Sequence, residues 1–560
     1  MRIVLAHASG WGLDEWGYVM GPLVLALAGV VALLVGSRNR TAGDGADCPG
    51  AGGSGSVSRL PVAVERLTGL PGWAGCVIVT GGIALVVALI GFMWDVAWHI
   101  DMGRDKQLFT PAHTMIVMGL GGIFLSGLLG IPLATATNAP VTLRVRSFRV
   151  PWTSLLLMAM GTGALIGFPL DDVWHKNYGV DVTLWGPTHV LMISGASLTT
   201  MALWLVCAEA RISPREGRGQ WIVHWALAGA VLTGLSTGQG EFDFGVPQFQ
   251  QLYHPVLLAI AAGCGLVAAR LVLGRGGALA VAGFFVGIRC IVALVVGGAL
   301  NLSVPRFPIY LGSALAIELV AVALGTTRRL RFALVSGIGV ATVGLGGDWL
   351  WTHAWGRHPW NGGLFPEAFL VGGLAAVGAA VLGVALGSVV LGTSDSVVMQ
   401  SAEVLRTQSR SWWRRSHAGL LNPVIVAGCA AVVVTLLIPF PRRSAEVTAL
   451  LTLDRRGDEA LVHLQLDPAD AAFGARWFEA IGWQGGGLVR SPMRATGEPG
   501  EYVSEKTVPI AGQWKSLVRL HRGTLALGVP IYMPEDAEIG APLIPAADRD
   551  VKVVRDVDLL

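Results

Sequence analysis

Trp73-Ala-Gly-Cys-Val-Ile-Val-Thr-Gly-Gly-Ile-Ala-Leu-Val-Val-Ala-Leu-Ile-Gly-Phe-Met-Trp94 is apolar over the ~20 residues a helix needs to cross a bilayer. It then ends on Asp95-Val-Ala-Trp98-His99. The run predicts a transmembrane helix, and the four-residue spacing puts a carboxylate and an imidazole on one face of its last turns. The chain continues through Gly103, Asp105 and Pro111 to His113. Seventy-six residues later the same register returns as Asp171, Trp174, His175, Gly179, Asp181, Pro187 and His189. Both copies obey D-x3-H-x5-D-x5-P-x-H, with eight identities over nineteen aligned positions. Ionisable groups at the ends of apolar helices are costly, so their repetition marks a place of function.

With 53% apolar and 14% charged residues over 560 positions, the composition is that of a polytopic membrane protein. Apolar runs begin near Tyr18, Trp73, Pro111, Pro151, Pro187, Trp221, Tyr253, Ala278, Phe307, Phe332, Glu367 and Leu420. They predict an α-helical membrane domain of about twelve spans over residues 1–440. Trp11, Asp14 and Glu15 interrupt the N-terminal region, which does not read as a cleavable signal peptide.

Every second connection is rich in arginine: Arg38 and Arg40, Arg144 to Arg149, Arg211 to Arg218, Arg270 and Arg275, Arg328 to Arg331, and Arg406 to Arg415. The positive-inside bias assigns these to the cytoplasm, which puts the N-terminus, the C-terminal tail and both motif loops outside the cell membrane. The net charge of +3 derives largely from the inner loops and gives no basis for a nucleic-acid partner. The partners expected are the lipid bilayer, a small hydrophobic substrate or dioxygen, and partner subunits or a second copy. The six cysteines are spread over helices and one Gly-rich loop around Cys48, as packing residues rather than a disulfide framework.

Residues 41–56 form a low-complexity loop, and 393–419, with Trp412 and Trp413 among arginines, suit an interfacial helix. From about Glu446 the hydrophobic period switches to two. Val447 to Leu453, Ala460 to Leu466, Lys515 to Leu520 and Leu525 to Tyr532 read as strands of an extracytoplasmic β-sandwich over residues 441–560. Pro509-Ile-Ala-Gly-Gln-Trp514-Lys-Ser-Leu-Val resembles small Ig-like domains of the FixH/YtkA type. The domain has no cysteine and only His463 and His521, which speaks against a cupredoxin copper centre.

Within each motif Thr110 can cap the helix that Pro111 begins, so His113 falls in its first turn. A helix N-terminus disfavours imidazolium and keeps such a histidine able to ligate. Asp95, His99 and His113, and again Asp171, His175 and His189, are thus candidate metal ligands. Asp105 and Asp181 are placed to orient an imidazole from behind. The structural alternative has Asp–His hydrogen bonds tying helix ends, with Trp98 and Trp174 as interfacial anchors; the duplication favours metal.

Glu241, Asp243 and His254, and then Asp348, His353, His358 and Glu367, flank two further outer connections and are candidates to support or extend the ligand sets. Seven of the twelve histidines thereby gather on one rim, while His7 and His417 fall outside the pattern. Arg289 and Glu318, inside apolar spans, are expected to pair with each other. His224 is expected to be a satisfied core residue.

Two imidazoles and a carboxylate suit copper, iron, zinc or manganese, and coordination rules do not choose among them. D-x3-H, with a second histidine after thirteen intervening residues, resembles the copper site in the C subunit of copper membrane monooxygenases. Those enzymes oxidise methane, ammonia or short alkanes and carry β-domains on the outer side. The resemblance covers the two motif segments and implies copper-ligand roles for Asp95, His99, His113, Asp171, His175 and His189. The expected function is a copper-dependent membrane oxidoreductase, monooxygenase-like. The alternatives are an extracytoplasmic copper acquisition or transfer protein, with iron or zinc as other metals, and a zinc-dependent membrane hydrolase.

Overall fold

A computed structural model of the chain describes residues 28–29, 56–103, 109–141, 143–178, 184–247, 249–395, 418–438, 446–523, 525–537, 540–556 and 559. The expected first span near Tyr18, most of the 393–419 segment, Asp105, Asp181, His7, His417 and Cys48 lie outside the described residues.

The helices, in chain order, are α1 (Ser56–Thr68), α2 (Gly72–Met102), α3 (Pro111–Ala136), α4 (Trp152–Tyr178), α5 (Pro187–Glu209), α6 (Arg218–Leu235), α7 (Gly240–Phe244), α8 (Tyr253–Leu273), α9 (Gly277–Ala299), α10 (Leu311–Leu324), α11 (Arg329–Ala354), α12 (Gly362–Gly392) and α13 (Ala418–Leu437). Among the described residues eight are long and apolar enough to cross a membrane: α2 to α5, α8, α9, α11 and α12. Three of the expected spans appear as the shorter helices α6, α10 and α13. For α10 the cause is local. Pro305 and Pro308 lack a backbone N–H and disfavour helix in the residue before them, so the chain stays non-helical until Tyr310, at φ 55°.

Burial ranks the helices. α8 is 94% buried along its apolar window, against 39% for α2, so α8 is the centre of the bundle and α2 lies at its edge. Among the described residues, four π-turns interrupt the second half, at Ala262–Leu266, Leu294–Ala299, Val340–Gly344 and Ala368–Gly372.

The strands β1 (Leu143–Val145) and β2 (Phe148–Val150) form an Arg-bearing hairpin between α3 and α4. The C-terminal domain is an antiparallel sheet. Its strands are β3 (Thr448–Arg456), β4 (Glu459–Asp467), β5 (Trp477–Trp483), β6 (Leu488–Ala495), β7 (Glu501–Ser504), β8 (Val508–Pro509), β9 (Lys515–Arg522), β10 (Leu525–Tyr532), β11 (Arg549–Lys552) and β12 (Val554–Arg555). They pair in one path, β11-β3-β4-β7-β6-β5-β9-β10-β12, with β8 beside β4. Leu451, Val462 and Leu464 from one arm share a core with Val518, Leu520 and Val529 from the other. In β3 and β4 buried and exposed positions alternate, as a half-solvated sheet requires. In β5, β9 and β10 nearly every position is buried.

The second face of that arm rests on the helix ends. Ile481, Trp483 and Leu517 pack with Val246, which follows α7. The backbone of Gln484 donates to Ile100 O at 2.9 Å and that of Gly486 to Asp101 O at 2.8 Å, both at the end of α2. Asp101 in turn accepts the Ser303 backbone N–H at 2.6 Å. The domain therefore sits at the end of the bundle where α2 stops and α3 starts. The Arg-bearing connections after α3, α5 and α10 lie at the other end.

Candidate metal centre

The end of α2 and the start of α3 build the first site. Thr110 caps α3 by accepting the His113 backbone N–H at 3.2 Å, with Pro111 at the first helical position. Gly103, at φ 84°, turns the chain out of α2 with a backbone that glycine alone adopts easily. The two helices approach closely because small residues meet at the crossing. A Cβ on Gly91 would stand 3.0 Å from Ala112 O and 2.9 Å from Ile116 N; one on Gly119 would stand 2.6 Å from Ala88 Cβ.

That approach brings Asp95, His99 and His113 together, with one ligand atom from each lying within 4.8 Å of the others. Asp95 Oδ1 lies 3.0 Å from His113 Nε2 and 3.6 Å from His99 Nε2. Ligands held at about 2.1 Å from a shared ion stand roughly 3.0–3.4 Å apart, so these two separations bracket what an ion would need. Asp95 Oδ1 lacks a well-aligned hydrogen bond, while both imidazoles approach the same carboxylate closely enough to interact with it directly. All three are about three-quarters buried or more.

The second hairpin, α4 and α5, repeats this construction beyond the ligand residues. Ile90-Gly91-Phe92 returns as Ile166-Gly167-Phe168 at the same offset. A Cβ on Gly167 would meet Thr188 O and Met192 N, and one on Gly195 would meet Ala164 Cβ. These are the counterparts of Ala112, Ile116 and Ala88. Asp171 Oδ1 lies 3.3 Å from His189 Nε2 and also accepts the Thr188 hydroxyl. The side chain of His175 lies outside the described residues. Phe168 joins the two hairpins, with its ring edge-on to His113 at 5.6 Å and stacked with Phe109 at 5.9 Å. Phe168 and Thr188 were not legible as site residues: the first lies before the ligand motif, and the second replaces Ala112 of the first copy.

The other candidates are placed elsewhere. Glu241 accepts the Leu184 backbone N–H at 2.7 Å and so holds the loop of the second motif. Asp243 pairs with Arg289. The expected Arg289–Glu318 bridge is therefore incorrect: Glu318 pairs with Arg270 at 2.8 Å and accepts the N–H groups of Gly276 and Ala278. Sequence adjacency of the spans suggested the wrong partner because α7, a five-residue helix, brings Asp243 to α9. His254 stacks on Phe242 at 4.6 Å, and His353 Nδ1 lies 2.9 Å from Trp349 O. Glu367 faces Arg476 of the β-domain at 3.7 Å. His224 is satisfied in the core, taking the Trp204 indole N–H on Nδ1 at 2.9 Å. None of these joins the Asp95 set among the described residues.

His358 belongs to the domain junction. Arg490 on β6 donates to its Nδ1 at 2.6 Å, and also holds Glu479 at 2.8 Å. Burial and the Arg490 charge hold His358 well below the usual imidazole range, so it is neutral. Trp477 lies edge-on between His358 and His521, at 4.5 Å from each. Burial pushes His521 down as well, against the Asp556 carboxylate that it and Arg519 both contact, and the Arg519 charge adds to the downward push.

A third hairpin, α11 and α12, carries a worn copy of the motif. Asp348, Trp351, Gly356 and Arg357 align with Asp95, Trp98, Gly103 and Arg104, with Thr352 where His99 stands; the loop then runs two residues longer, so that Pro366 and Ala368 take the places of Pro111 and His113. No family model, curated protein or solved structure matches the chain.

Proposed function

We propose that this chain is a membrane-embedded metalloprotein whose Asp95–His99–His113 set holds a transition metal, with a twin set at Asp171, His175 and His189. The observation that carries this reading is the convergence of one carboxylate and two imidazoles within 4.8 Å at a helix-pair mouth. A donor set of nitrogen and oxygen without thiolate fits copper(II), and equally suits iron or zinc. Copper is favoured by the likeness of the spacing to copper membrane monooxygenases.

In this reading the protein is a copper-dependent oxidoreductase acting on a small apolar substrate, with dioxygen as co-substrate. Bound copper would supply the one-electron and oxygen chemistry. The protein's own part is to fix the ligands on two rigid helices and to keep water out. Phe109, Phe168 and Met192 provide an apolar wall beside His113. Leu170 and Val173, flanking Asp171, are exposed on the apolar surface and offer an approach from the lipid. The motif ends and the C-terminal domain, an Ig-like sandwich, lie outside the cytoplasm, the orientation that the arginine bias favours.

The test is elemental analysis with EPR on protein purified without chelator. Stoichiometric copper with a nitrogen-rich type 2 spectrum, halved in His99→Ala, is expected. Zinc alone would replace this reading with a hydrolytic one, and no stoichiometric metal would leave only the structural role of Asp–His contacts.

A further inference from the structure

In the first two hairpins the carboxylate at the motif's head faces imidazole: Asp95 has His99 and His113, and Asp171 has His189. In the third hairpin Thr352 stands in register with the first histidine, Ala368 takes the second histidine's place after a loop two residues longer, and the carboxylate remains. Asp348 is 2% exposed and lies inside a span. It accepts the backbone N–H of Tyr310, and its Oδ2 has no hydrogen-bond partner. No Lys, Arg or His pairs with it among the described residues.

The groups on the packed elements are otherwise committed. The Tyr310 hydroxyl bonds Ser236 at 2.8 Å and accepts from Gln239 at 3.1 Å. Asp243 of α7 is bound to Arg289 of α9, so that cation is taken. His254 of α8 is stacked on Phe242 and shares a small cleft with Thr352, one turn beyond Asp348. The Thr352 hydroxyl donates to Trp349 O at 2.9 Å and gives Asp348 nothing. On α10, the Ser313 hydroxyl is buried and has no partner either. A Cβ on Gly344, one turn before Asp348, would lie 2.4 Å from it. Gly344 ends a π-turn, a distortion that recurs at functional sites.

An ionised carboxylate here would be a buried charge with one backbone donor and no counter-ion, which proteins do not sustain. We infer that Asp348 is a resident proton-binding site: a neutral carboxylic acid in the membrane domain, carrying a proton on its own oxygen where the other hairpins set imidazole against the carboxylate. Protonation removes the charge and converts the orphaned Oδ2 from an acceptor into a donor, for which a bound water is a suitable partner. The ligand class is the proton, and the site is separate from the metal reading and does not rest on it.

Infrared difference spectroscopy of the full chain in lipid nanodiscs tests this, comparing wild type with Asp348→Asn at pH 7 in H2O and D2O. A protonated-carboxyl C=O band that shifts down in D2O and is lost in the variant is expected, with thermal stability unchanged, because the amide matches the acid in shape and charge. A difference spectrum showing only carboxylate bands would overturn the inference. So would a C=O band that appears only when sodium is replaced by choline, since the carboxyl would then be ionised and balanced by a bound metal cation. Failure of Asp348→Asn to fold would also overturn it, because a site that is already neutral tolerates a neutral isostere.

Discussion

A single oxygen of Asp95 stands near both His99 and His113, and each imidazole comes from a different part of a helix–turn–helix. Removing one of three protein ligands should therefore release the metal and leave insertion intact, since spanning depends on apolar length. His99→Ala and His175→Ala should each remove the metal of their own set, read as a halved metal content by mass spectrometry, with unchanged helical circular dichroism. If Asp105 orients an imidazole from behind, Asp105→Asn should weaken affinity by only about 10–100-fold in a chelator competition. A fall in melting temperature with no metal to lose would support helix capping instead. The residues of the Asp95 set were legible because a repeated polar pattern stands out in an apolar chain. The partner of Arg289 was not, because pairing inside a bundle is decided by which helices touch.

Among the elements, the hairpins owe their geometry to glycine as much as to the ligands. Gly119→Ala places a methyl 2.6 Å from Ala88 Cβ and must push α2 from α3. A destabilisation of about 1–3 kcal/mol is expected, together with weaker metal binding although no ligand has changed. Gly82→Ala, with open space around it, should alter neither. Gly195→Ala should act on the second hairpin alone, which site-resolved metal titration would read. Strand legibility divides along burial. β3, β4, β9 and β10 were visible from their apolar runs, whereas β5, buried on both faces and carrying Gly482, and β6, carrying Pro492, offered no clear period. The glycine crossings escaped notice because a residue without a side chain leaves no pattern of its own.

For the whole molecule, the junction between bundle and sheet is built from buried polar groups and should respond to acid. His358 is held neutral in the folded chain, while in the unfolded chain it takes up a proton near its ordinary value of about 6.5. Below that pH the unfolded state binds more protons, so stability falls as pH falls, by up to about 1.4 kcal/mol per pH unit. Melting temperatures from pH 7.5 to 5 should decline, and His358→Gln should flatten the decline. Arg490→Ala strands Glu479, which is nearly buried, and should cost about 3–5 kcal/mol at the junction. Limited proteolysis ahead of Glu446 should then release the β-domain more quickly than in wild type.

The sheet touches the end of α2 through Gln484 and Gly486, yet those residues come late in the chain. About 275 residues separate Glu209, the end of the second hairpin, from Gln484. At ribosomal speeds of roughly 5–20 residues per second, that interval lasts on the order of 14 to 55 s. Throughout it both helical hairpins can already be inserted, their mouths open to whatever the surrounding medium contains. On the proposed metal reading, that interval is a window for ion acquisition before the last domain docks against the end of α2. A truncation stopping at residue 440 would hold that window open, and should exchange its ion with a chelator faster than the complete chain.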